Sequence, residues 1–244
     1  MARGSVLVTG ANGGVGQHIA RFLLENGERG LICHYRGDRE RVDGLLREFD
    51  LDPASHAVQA DLTDEQSVAA MFASARDAGA PVSRLVNVAG SSSNAMSWKI
   101  SRDEFSRVID DSLLTTFLCC KHAIPSMREA RFGRIVNISS IVGFTGVVGA
   151  AHYAAAKAGL IGFTKSVALE VASRGVTANA IALGYLDAGL IHSVPEDMQV
   201  EIRGRIPAGR FGGKADVGAA VRYLLGDDSN FYTGQVLHLN GGQY

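Results

Sequence analysis

The chain has little of what builds specialised proteins. Among its 244 residues there are three cysteines, Cys33, Cys119 and Cys120. An odd count with two adjacent members does not suggest a disulfide framework, and the thiols are read as reduced. Five prolines and one tryptophan are spread through the chain. No Pro/Gly/Ser linker, repeat or low-complexity tract divides it, so residues 1–244 are read as one domain. Charge of one sign is missing as well: 24 Lys and Arg face 25 Asp and Glu, for a net charge of −1. No global field draws such a protein to nucleic acid or to a membrane surface. No apolar run is long enough to span a bilayer. The N-terminus, M-A-R-G-S-V-L-V, enters a strand almost at once and leaves no room for a signal peptide, which makes a cytoplasmic protein the expectation. The seven histidines lack metal-ligand spacing, and His18 and His122 are read as surface or packed residues.

What the chain has is apolar content, 46%, arranged in short β-branched runs that alternate with longer helical patterns. Strands are expected at Ser5–Val8, Gly30–His34, His56–Gln59, Leu85–Val88, Arg134–Ile138, Val176–Ile181 and Gln235–Leu239. Helices are expected at Val15–Asn26, Arg39–Phe49, from a Thr63–Asp64 cap to Ala78, Arg102–Glu129 with a bend at Pro125, His152–Ser173 and Ala215–Leu225. The stretch Leu183–Phe211 reads as irregular. This alternation predicts an α/β doubly wound parallel sheet with helices on both faces and ligands beyond the carboxyl ends of the strands.

The motifs fall just after those strands. T-G-A-N-G-G-V-G places Gly10, Asn12, Gly14, Val15 and Gly16 between the first strand and its helix. Glycines there let the backbone turn tightly and approach a pyrophosphate, which meets the positive end of the helix. At the end of the second strand, where NAD binders place an acid, stands Arg36, with Asp38 further out. An arginine pairs with a 2′-phosphate that a carboxylate would repel, so NADPH is expected over NADH; the alternative is a solvated Arg36. Asp61 could accept from an adenine amino group and Leu62 could donate its N–H; equally, Asp61 could serve only its own loop. Asn87, Ala89 and Gly90 follow the fourth strand, where small residues would let a ribose lie against the backbone.

Tyr153 and Lys157, in Y-A-A-A-K, are one helical turn apart on one face. A phenol beside an ammonium is a stronger acid than a free phenol. Ser139, in N-I-S-S, closes the fifth strand. Together they offer a proton donor, a charge that acidifies it and a hydroxyl that orients a carbonyl, which is the equipment of a carbonyl or alcohol oxidoreductase.

T-G-A-N-G-G-V-G, N-V-A-G, N-I-S-S, Y-A-A-A-K and the terminal L-N-G-G resemble the short-chain dehydrogenase/reductase family over essentially the whole chain. Within it the segment H-Y-A-A-A-K-A-G-L-I-G-F-T-K-S-V-A-L-E-V-A-S-R-G-V-T is similar to that of 3-oxoacyl-[acyl-carrier-protein] reductases. The resemblance implies a seven-stranded Rossmann sheet, a homotetramer built on the two long helices, and NADPH-dependent reduction of a 3-oxoacyl thioester on acyl carrier protein or coenzyme A. It also implies carrier-docking roles for Arg131 and Arg174 beside the active-site entrance.

The sequence departs from the family pattern in four places. Ser112 stands where an asparagine holds a water linked to the lysine. Leu183–Gly184 replaces Pro-Gly, with Gly184 kept as a cofactor position. Ala188 replaces a threonine that meets the nicotinamide carboxamide, and Val88 replaces the second asparagine of N-N-A-G. Residues 186–210 are expected to form a substrate lid whose Leu190, Ile191 and Met198 set specificity. A dehydrogenase of a small free ketone, sugar or polyol, and a non-catalytic partner subunit, remain alternatives at this level.

Overall fold

The computed structural model describes residues 4–244. Its strands are β1 Ser5–Val8, β2 Leu31–Tyr35, β3 Ala57–Gln59, β4 Val82–Asn87, β5 Gly133–Ser140, β6 Val176–Leu183 and β7 Val236–Leu239. They form one seven-stranded sheet in the order β3-β2-β1-β4-β5-β6-β7, with every neighbouring pair parallel. Parallel neighbours need crossovers, and the main helices supply them: α1 Gly14–Glu25, α2 Glu40–Glu48, α3 Glu65–Asp77, α4 Arg102–Ile109, α5 Thr115–Ala130, α6 Ala151–Val171, α7 Glu196–Gly204 and α8 Lys214–Leu225.

Strand alternation divides the core into two layers. Val6, Val8, Val86 and Val136 point to one face and pack with Leu23 of α1 and Leu224 of α8. Leu7, Leu85 and Ile135 point to the other and pack with Leu118 of α5 and Val167 of α6. Every residue of β5 and β6 is buried, as expected of central strands covered on both faces. The expected α3 cap is present, the Asp64 carboxylate accepting from Gln66 N–H. No helix among the described residues is long and apolar enough to cross a membrane.

Two segments differ from the sequence expectation. The long helix expected at 102–129 is interrupted at Asp110–Leu114 by a π-helical turn, while Pro125 lies inside α5. Thr115 Oγ1 donates to Asp111 O at 3.0 Å and Thr116 Oγ1 to Ser112 O at 2.9 Å, binding carbonyls in the widened turn. The stretch expected to be irregular holds a 3-10 turn, Gly189–Ser193, and α7. Its apolar residues Ile191, Ile206 and Phe211 form a small core of their own. Pro195 precedes Glu196 and Asp197 in the first turn of α7, and Arg203 lies in the last, a charge order that suits the helix dipole.

Candidate functional site

The order β2-β1-β4 puts the reversal of winding between β1 and β4, and a crevice opens at their carboxyl ends. Gly10 follows β1 with φ +61°, a left-handed conformation that favours glycine. A Cβ on Gly16 would run into Gly10 O, and one on Gly14 into the backbone of Gly189 in the stretch 186–210. The loop therefore presents bare backbone at the N-terminus of α1, a cradle suited to a dinucleotide's phosphates. Val15 packs against the core behind this loop; Asn12 is half-buried in it.

Two residues missed by sequence reasoning hold the crevice. Thr9 Oγ1 accepts from the N–H groups of Val88 and Ala89 at 2.9 and 3.2 Å, tying the loop after β4 to β1. His34 Nδ1 accepts from Gly10 N–H at 3.0 Å, so its Nε2–H donates to Ala60 O at 3.0 Å. This buried ring fastens the glycine loop to the end of β3, and burial is the main reason its pKa is lowered. The signals in the sequence were a hydroxyl ending β1 and a histidine inside an apolar strand.

Arg36 lies just past β2 and is paired with Asp111 of the π turn at 3.4 Å. Asp61 Oδ1 accepts from both the N–H and the hydroxyl of Thr63, which holds its carboxyl below the usual range. One Asp61 oxygen therefore serves its own loop. Leu62 is buried in the core. The side chain of Asn87 is turned inward, its Nδ2 donating to Asn137 Oδ1 at 2.8 Å, so only its backbone faces the crevice. Gly184 N–H donates to Leu239 O at 2.9 Å, and a Cβ there would press on Asn240.

At the chemical end the structure corrects the serine. Ser139 Oγ is buried and donates to Lys157 O at 2.9 Å, away from any substrate. Side chains alternate along β5, so its neighbour Ser140 faces the crevice, where its hydroxyl is near enough to the Tyr153 phenol to favour the phenolate. N-I-S-S offered both serines, and only the strand's facing decides between them.

Lys157 lies beneath Tyr153, its Nζ 5.6 Å from the ring centroid, and donates to Ile138 O at 2.9 Å. Burial lowers the amine to about 8. At the Tyr153 phenol two influences oppose each other. Burial is the larger influence and raises the Tyr153 pKa; the opposing pull comes from the Ser140 hydroxyl. At neutral pH the phenol is a proton donor.

Ser112 Oγ is fully buried with no hydrogen-bond partner among the described residues. It lies 3.1 Å, and Lys157 Nζ 3.5 Å, from the point where a Cβ on Gly90 would sit. The two polar groups face one small space beside Gly90, a geometry suited to a shared water.

Arg131 and Arg174 do not flank this entrance. Each lies two residues before a strand, β5 and β6 respectively, whereas Tyr153 follows the far end of β5. The eight residues of β5 separate the two ends by roughly 23 Å. The arginine-bearing loops do meet each other, since a Cβ on Gly175 would press on Arg131 O. In the stretch expected to form a lid, Ile191 is buried and Met198 is half exposed; the side chain of Leu190 lies outside the described residues. Among the described residues no group of three or more His, Cys, Asp or Glu is placed to hold a metal ion.

Comparison with known proteins agrees with this geometry. Residues 10–243 match a family model described as enoyl-(acyl carrier protein) reductase. A 3-oxoacyl-[acyl-carrier-protein] reductase FabG of Staphylococcus aureus (strain Mu50) is 37% identical over 241 residues, covering 98% of both chains. The FabG of Salmonella typhimurium (strain LT2) is 36% identical over 240 residues, 98% of this chain and 96% of that one. Among solved structures, a candidate gluconate dehydrogenase from Agrobacterium tumefaciens superposes with a TM-score of 0.91 at 29% identity, covering 98% of this chain and 95% of the other.

Proposed function

The chain belongs to the short-chain dehydrogenase/reductase family, as an oxidoreductase of CH–OH and C=O groups, and on that premise we propose that it reduces 3-oxoacyl thioesters with NADPH. The observation that carries the reading is the Tyr153 phenol, beside the Ser140 hydroxyl and backed by Lys157, at the crevice that holds the glycine cradle. The thioester is supported by two relatives of nearly equal length whose names specify 3-oxoacyl carrier-protein substrates. Arg36 supports the phosphorylated cofactor.

The glycine loop, Asp61 and the backbone of Asn87 to Gly90 would hold the dinucleotide. When bound, the reduced nicotinamide supplies hydride. Ser140 fixes the substrate's keto oxygen by donating its hydroxyl, and Tyr153 delivers the proton that this oxygen needs. Lys157, at about 8, titrates close to working pH and can pass a proton toward the phenol. Ser112 holds the water that connects Lys157 to the interior side of the site. A carrier-docking role for Arg131 and Arg174 requires a second copy, because within one chain they sit at the opposite end of the strands from Tyr153. The exposed Phe105, Phe117 and Leu169 on the long helices, and Phe231, suit burial in a homotetramer.

The test is NADPH oxidation with acetoacetyl-carrier protein and acetoacetyl-coenzyme A, set beside free keto sugars and keto acids. Turnover of both thioesters, with a higher kcat/KM than any free ketone, is expected. Turnover confined to free keto sugars or acids would overturn the thioester assignment and leave the oxidoreductase in place.

A further inference from the structure

Asp111 reaches Arg36 from across the crevice. Its Oδ1 lies 3.4 Å from Arg36 Nη1, and its Oδ2 accepts from Ser91 Oγ at 2.6 Å. Arg36 follows β2, and Ser91 follows β4 and Gly90. Between those strands the sheet order places β1, with the glycine loop at its end. The link Arg36–Asp111–Ser91 therefore runs over the crevice from one side to the other. The two ends differ in freedom: the Asp111 side chain is 12% exposed and anchored, whereas that of Arg36 is 68% exposed. The mobile partner is the guanidinium, and the fixed partner is the carboxylate. Arg36 is also near enough to Asp61 for the two charges to interact.

We propose that Asp111 is a specificity-determining residue for the nucleotide end of the cofactor: anchored by Ser91, it competes with a 2′-phosphate for Arg36 and weakens the preference for the phosphorylated dinucleotide. The inference rests on the reading of this crevice as a dinucleotide site. The π turn gives it a cause, because the widened turn carries Asp111 and Ser112 together, Ser112 toward Lys157 and Asp111 toward Arg36. A phosphate arriving at Arg36 must displace the carboxylate, and it then stays beside that negative charge. An unphosphorylated ribose meets neither obstacle.

The experiment is isothermal titration of the full-length protein with adenosine 2′,5′-bisphosphate and with 5′-AMP, for wild type, Asp111→Asn, Ser91→Ala and Arg36→Ala. Asn keeps the shape and the hydrogen bond from Ser91 while removing the charge. The expected result for Asp111→Asn is about tenfold tighter binding of the bisphosphate, a change of about 1.4 kcal/mol, with 5′-AMP moved less than about twofold. Ser91→Ala, which frees the carboxylate without neutralising it, shifts the ratio the same way by a smaller factor and serves if Asp111→Asn folds poorly. Arg36→Ala removes most of the discrimination. An unchanged ratio in both Asp111→Asn and Ser91→Ala overturns the role of Asp111 while leaving the dinucleotide site intact. Failure of wild type to bind either nucleotide overturns the site and the inference together.

Discussion

Replacing Lys157 by methionine removes a buried charge that the fold tolerates for its chemistry. The side chain is 4% exposed, and the partner seen for its Nζ is a carbonyl, Ile138 O, at 2.9 Å. Burial lowers the amine from 10.5 to about 8. At about 1.4 kcal/mol per pH unit, keeping the amine charged in the fold costs roughly 3 kcal/mol at neutral pH. The lost hydrogen bond gives back about 1 kcal/mol. Lys157→Met is therefore expected to be about 1–3 kcal/mol more stable than wild type at pH 7, and inactive. The sign with pH follows from the lowered value. Between about 8 and 10.5 the unfolded chain binds the proton that the folded chain has released, so wild-type stability, measured against the variant, rises through that window. Urea unfolding at fixed protein concentration from pH 7 to 10 measures both effects. A variant less stable than wild type at pH 7, or a difference between the two that does not change with pH, would refute the reasoning.

Ser140→Ala is expected to lower kcat about 100-fold or more with little change in stability, because it removes a donor to the reacting oxygen. Ser139→Ala, losing the bond to Lys157 O, should instead cost about 1 kcal/mol in unfolding measurements with a much smaller effect on kcat. For His34, the folded ring titrates below its unfolded value because it is buried. Stability is therefore fully present above about pH 6.5 and falls as pH drops toward the folded value. Protonation of the folded ring, which begins at lower pH than that of the unfolded chain, turns Nδ1 into a donor facing Gly10 N–H, so in wild type thermal melts should decline first below about pH 6.5 and NADPH affinity should follow at lower pH. That decline should flatten in His34→Asn.

Strand periodicity made most of this architecture legible. Val6 and Val8 against Leu7, and Val86 against Leu85, carry the alternation that assigns both faces of the sheet. Gly10, Gly16, Tyr153 and Lys157 were legible because their chemistry depends on local spacing. Ser139 against Ser140 was not: adjacent serines differ only in which face of β5 they take, and that depends on register. The π turn was hidden because its sequence, D-D-S-L-L, is compatible with a regular helix, and the widening is satisfied by the hydroxyls of Thr115 and Thr116 one turn later. Asp111 meets Arg36 across 75 residues of sequence, and local spacing carries no trace of that contact. The stretch 183–211 looked irregular because its glycines and prolines mask a nine-residue helix closed by a three-residue core.

The most direct test of the central claim is Tyr153→Phe, which removes one oxygen and keeps the ring above Lys157. NADPH affinity within about twofold of wild type, with turnover of acetoacetyl thioester reduced about 1,000-fold or more, is the expected result. Retention of a tenth or more of wild-type turnover would contradict it, because the proton would then come from another group.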